Sequence, residues 1–136
     1  MIRPRRVLET ALYCEDLGIA ARFYQLLGFT PMLESKRLVA LDAGEGTVLL
    51  LFQRGAAQEG LATDGGFVPG HDGQGPQHLA LAVGGDDLPT WERRLAALDI
   101  TIESRVRWTG GGTSLYFRDP DGHSIELATP GTWPTW

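Results

Sequence analysis

Two stretches of this chain are versions of one another, and a tandem duplication restricts the architecture more than any other feature of the sequence. Glu9-Thr-Ala-Leu-Tyr-Cys14 lies on His78-Leu-Ala-Leu-Ala-Val83. After a short insertion at 84–87, Leu17, Tyr24, Leu27 and Phe29 fall on Leu88, Leu95, Leu98 and Ile100. The halves also end alike, Thr47-Val-Leu-Leu50 being laid on Ser124-Ile-Glu-Leu127. A repeated unit of this size buries its apolar face most simply within one domain, and 136 residues with 43% hydrophobic content suffice for such a core.

Each half reads as the same series of elements. An alternating strand, 7–14 or 77–83, leads to an acidic helix start at Asp16 or at Asp86 and Asp87. The helices carry apolar spacings (Leu17, Ala20, Ala21, Tyr24, Leu27; then Leu88, Trp91, Leu95, Leu98), with Gly28 placed as a C-terminal stop. Three short strands complete each half: 30–35, 38–42 and 47–53, then 101–108, 114–118 and 124–129. Asp119-Pro-Asp-Gly122 between the last two is turn chemistry. The expectation is an α+β fold of two βαβββ modules, 5–54 and 77–130, with a tail at 131–136. The Gly-rich and polar connection, 55–76, shows neither period and is expected to run over the surface.

Strand parity then sorts the side chains, because residues two apart share a face. Leu8, Leu12 and Cys14 take one face of the first strand, and Glu9, Ala11 and Tyr13 the other. His78, Ala80 and Ala82 oppose Leu79, Leu81 and Val83, and Glu126 opposes Ile125 and Leu127. If the apolar faces pack under the helices, the other faces are free to line a cavity holding Glu9, His78 and Glu126. Two carboxylates and one imidazole suit a divalent Mn, Fe, Co, Ni or Zn ion with positions left open. Taken singly, each of these residues is more often solvated or locally hydrogen bonded; their concurrence at matching strand positions carries the metal reading.

Composition excludes several function classes. The net charge of −5, with arginine clusters broken by acidic and apolar neighbours, gives no basic stripe for nucleic acid. No apolar run is long enough for a membrane span or signal segment. Cys14, the single cysteine, permits no intramolecular disulfide, which favours a cytoplasmic location. There is no nucleophile elbow or phosphate loop.

The motifs together resemble the vicinal oxygen chelate superfamily, which includes glyoxalase I, fosfomycin resistance enzymes, extradiol dioxygenases and bleomycin resistance proteins. They are Glu9-Thr-Ala-Leu-Tyr-Cys-Glu-Asp16, Phe23-Tyr24 with Leu27-Gly-Phe29, Gly75-Pro-Gln-His78, and Ser114-Leu-Tyr-Phe-Arg-Asp-Pro-Asp-Gly122 leading into Ile125-Glu-Leu127. The resemblance spans nearly the whole chain. It implies paired βαβββ modules forming a cupped mixed sheet with helices outside, and a homodimer. It also places Glu9, His78 and Glu126 at ligand positions. The fourth ligand position of glyoxalase I-like members falls on Leu49, which cannot coordinate and weighs against glyoxalase I activity.

The implied function is a metal-dependent enzyme acting on a small organic substrate with neighbouring oxygens, by lyase, isomerase, ring-opening or dioxygenase chemistry. Glu126 or Glu9 is the candidate proton-transfer carboxylate. Leu49 and Leu51 are expected to form an apolar wall, with Tyr116, His71 and Tyr13 as further substrate-side candidates. The alternative is a non-catalytic small-molecule or antibiotic binding protein using the same cavity.

Overall fold

In the computed structural model, which describes residues 1–136, the first alternating stretch forms strand β1 (Glu9–Cys14). Helix α1 (Leu17–Leu26) follows, started by Asp16, whose side chain accepts a 2.9 Å hydrogen bond from the Ile19 N–H. Strands β2 (Thr30–Glu34), β3 (Leu38–Asp42) and β4 (Val48–Gln53) complete a four-stranded sheet in the order β1-β4-β3-β2. Strands β1 and β4 are parallel, and the other pairs are antiparallel. Helix α1 packs on β2, β3 and β4, burying Ala20, Ala21 and Tyr24.

The segment after β4 belongs to this first compact unit, 1–74. It contains a short hairpin, β5 (Leu61–Thr63) and β6 (Gly66–Val68). A strand of three residues is too brief to display a hydrophobic period, which is why this stretch reads as structureless in the sequence.

The second unit, 75–136, repeats the plan with β7 (His78–Ala82), α2 (Leu88–Ala97), β8 (Ser104–Arg107), β9 (Thr113–Arg118) and β10 (Ser124–Ala128). A 3₁₀ turn at Gly85–Asp87 absorbs the insertion ahead of α2. Its sheet order is β7-β10-β9-β8, with β7 and β10 parallel. The fold is therefore mixed α+β, built from two equivalent four-stranded sheets. No helix is long and apolar enough to cross a membrane.

The helix ends show how deep the duplication runs. Phe29 N–H bonds Tyr24 C=O at 3.1 Å, and Ile100 N–H bonds Leu95 C=O at 2.9 Å. Gly28 (φ 109°) and Asp99 (φ 56°) occupy the same left-handed stop. Only the first is a glycine, so only the first announces itself as a stop.

Strand register corrects one alignment read from sequence. Glu9 pairs with Val48, and its counterpart His78 pairs with Ser124. Ser124 therefore matches Val48 rather than Thr47, and Glu126 matches Leu50 rather than Leu49. Leu49 and Leu51, each 1% exposed, share a face with Leu12, Val39 and Leu41. They belong to the buried core of the first sheet, not to the face that carries Glu9. Val48, Leu50 and Phe52 are the β4 residues on the Glu9 face.

This assignment predicts opposite outcomes for adjacent substitutions. Leu49→Glu would bury an unpaired carboxylate and should cost at least about 3 kcal/mol in urea unfolding, whereas half-buried Leu50→Glu should cost about 1 kcal/mol or less. Equal destabilisation by the two variants would contradict the register.

Candidate metal centre

The chemistry of the second unit begins with the pairing of β7 on β10. Because His78 and Ser124 are register partners, the His78 ring lies over the adjacent strand, with Nδ1 2.9 Å from the Ser124 carbonyl oxygen. A carbonyl can only accept, so Nδ1 carries the proton and donates it. The other nitrogen, Nε2, lies 3.2 Å from Glu126 Oε2. The imidazole is 53% exposed while the carboxylate is 7% exposed, so the acid is anchored inside and the base stands at the surface.

Glu126 is held from two further sides. Its other oxygen, Oε1, accepts a short hydrogen bond from the Ser114 hydroxyl, and Ser114 Oγ accepts from Trp108 Nε1 at 2.8 Å. Tyr116, the register partner of Glu126 on β9, places its ring 6.2 Å from that of His78, tilted by 26°. Burial pushes the Tyr116 phenol above its ordinary value, and the charge and hydrogen bonding of Glu126 add to the effect, with Ser114 opposing it.

These residues fit a divalent cation. Ligand atoms about 2.1 Å from an ion and about 90–110° apart are separated by about 3.0–3.4 Å, and Nε2 and Oε2 stand at 3.2 Å. A ligating imidazole characteristically donates its second nitrogen to a carbonyl or carboxylate, as His78 does to Ser124. Glu9 begins β1 exactly as His78 begins β7, and it is exposed.

A second cluster, Asp119, Asp121 and His123, brings potential ligand atoms within 4.8 Å of one another. Two of its three members, Asp119 and His123, are engaged in local hydrogen bonds. Asp119 Oδ1 accepts from the N–H groups of Asp121 (3.0 Å) and His123 (2.9 Å). His123 Nδ1 accepts from Gln77 N–H at 2.8 Å, which leaves the neutral ring's proton on Nε2 and no lone pair for an ion. Fully buried His123 thus fixes the residue before His78. Its role is invisible in the sequence, because a turn and a buried histidine share no periodic signal.

The remaining sequence candidates lie in the first unit. Tyr13 and His71 share a hydrogen bond of 2.7 Å, and the His71 ring packs edge-on against Phe52 at 4.6 Å. Together they close the loop after β4 onto the Glu9 side of the sheet. Burial raises the Tyr13 pKa, and the negative charge of Asp72 adds to the shift. The sequence does not single out Ser114 and Trp108, although parity alone puts Ser114 on the face of Tyr116.

The sequence pattern of the Glyoxalase/Bleomycin resistance protein/Dioxygenase superfamily matches residues 6–127. The chain belongs to this superfamily. Among solved structures, a lactoylglutathione lyase from Agrobacterium tumefaciens superposes with a TM-score of 0.87 at 32% identity, covering 96% of this chain and 98% of that one. A glyoxalase/bleomycin resistance protein/dioxygenase from Nocardioides, 22% identical with a TM-score of 0.72 over 98% and 90% of the two chains, shares the fold. The metallothiol transferase FosB of Bacillus licheniformis is 43% identical over 53 residues, 38% of this chain. That match spans about a third of the relative's length, 34%.

Asp72 provides a pH test of the loop in this superfamily member. Its carboxyl is held below the ordinary 3.8, first by the Gly55 N–H and then by Gln58, the Gly73 N–H and the charge of Arg54, against opposing desolvation. A depressed carboxyl pKa contributes stability that is present above the unfolded value and lost as pH falls through the folded one. Protection of the Gly55 amide from hydrogen exchange should therefore persist at pH 4 and collapse only at lower pH. Loss of protection between pH 6 and 5 would contradict this tether.

Proposed function

We propose that this chain is a metal-dependent enzyme of the glyoxalase superfamily whose divalent ion is bound by His78 Nε2 and Glu126 Oε2. The observation that carries this reading is the double engagement of His78: Nδ1 donates to Ser124 C=O, while Nε2 points at a buried carboxylate. Glu9 enters as the third ligand through the duplication and the family resemblance. The position matching Glu126 in the first module, Leu50, has no donor atom, so a three-ligand set remains the proposal after the register correction.

A divalent ion on such a set would supply Lewis-acid stabilisation of negative charge developing on a substrate with neighbouring oxygens. The chain's own groups supply the rest. Glu126, with Oε1 occupied by Ser114, would accept a proton on Oε2 only when that oxygen leaves the ion. Tyr116 offers a hydroxyl that keeps its proton at neutral pH and can donate to a substrate oxygen. Its ring, with that of Trp108, gives an aromatic surface for an organic substrate. The names of the similar proteins, a lactoylglutathione lyase and a metallothiol transferase, support lyase or group-transfer chemistry over oxidation.

Elemental analysis of protein purified without chelators tests the reading. Near-stoichiometric Mn, Fe, Co, Ni or Zn is expected in the wild type, strong depletion in His78→Ala and Glu126→Ala, and weakened retention in Glu9→Ala. A wild type that takes up none of these ions on reconstitution would overturn it and leave a metal-free binding protein.

A further inference from the structure

Resting on the metal reading above, we propose that Ser114 and Trp108 form a two-step positioning relay that fixes Glu126 as a single-oxygen ligand. The direction of the relay is dictated by chemistry. An indole N–H can only donate, so Ser114 Oγ must be the acceptor of the 2.8 Å bond from Trp108 Nε1. A carboxylate oxygen can only accept, so the serine hydroxyl proton is directed to Glu126 Oε1.

The consequence falls on the carboxylate. Oε1 is held by a proton donor and is turned inward. Oε2 is thereby aimed at His78 Nε2, 3.2 Å away, and is the oxygen presented to a cation. Fully buried Ser114 cannot be replaced in this task by water, whereas Trp108, 40% exposed, anchors the relay at the surface. Neither residue touches the ion, so both act through Glu126. Tyr116, whose phenol lies beside both Ser114 and Glu126, completes the polar surroundings.

Outer partners of metal ligands typically contribute about 10- to 100-fold in affinity. Calorimetric titration of the full, metal-free chain with Zn²⁺ should show Ser114→Ala weakening binding by that factor and Trp108→Phe by about 10-fold. Because Trp108 acts only through Ser114, the double variant should bind no more weakly than Ser114→Ala. Additive losses would overturn the relay, as would single variants that bind Zn²⁺ as tightly as wild type while the wild type binds normally. If Ser114→Ala loses its near-UV circular dichroism, Trp108→Phe decides alone by the same criterion. A wild type that binds no Zn²⁺ instead overturns the metal reading, and the relay with it.

Discussion

The parallel pairing of β7 with β10, in the register that sets His78 beside Ser124, is the interaction on which the candidate site depends. It places a backbone carbonyl under Nδ1 and a carboxylate two residues further along β10 under Nε2. A backbone acceptor cannot rotate away or ionise, so the ring's tautomer and direction are consequences of the sheet itself. The Asp119 to His123 turn, buried at its two ends, reinforces this register: His123 Nδ1 accepts from Gln77 N–H, and Ser124 N–H bonds Gln77 C=O at 2.8 Å.

The same period-two geometry divides labour between the two faces of the second sheet. Leu115, Phe117, Ile125 and Leu127 are essentially unexposed, and burying each such side chain is worth about 1.5–3 kcal/mol. The other face carries Ser114, Tyr116, Glu126 and His78, with Ala80 and Ala82 beside them on β7. Burying Glu126 there is costly unless its oxygens are satisfied: the Ser114 hydroxyl donates to Oε1, and Oε2 faces His78 Nε2 across the place a cation would take. The duplication leaves the first sheet with the same plan but an apolar residue, Leu50, at the position of that carboxylate.

Much of this was legible in the sequence because strands and helices advertise themselves by period. The βαβββ order, the equivalence of Tyr24 with Leu95, and the placement of His78 and Glu126 on one face all follow from parity. What failed were features without a period. The offset between Leu49 and Leu50 depends on strand register, which matching short aliphatic runs cannot resolve to one residue, so Leu49 and Leu51 were expected in a cavity wall and lie in the core. Asp99 ends α2 in a left-handed conformation that its side chain does not announce. His71, read more readily as a solvated loop residue, is held by Tyr13 and Phe52, partners 58 and 19 positions away in the chain.

The central claim is that His78 presents an unprotonated Nε2 to a cation because Ser124 holds the proton on Nδ1. Long-range ¹H–¹⁵N correlation spectra of the histidine rings at pH 8, recorded metal-free and then with one equivalent of Zn²⁺, test this directly. The account predicts the Nδ1–H tautomer for His78 in the metal-free protein and a large change confined to its Nε2 on adding Zn²⁺, with His123 unaltered. An Nε2–H tautomer, or a Zn²⁺ response at His123 with none at His78, would contradict it.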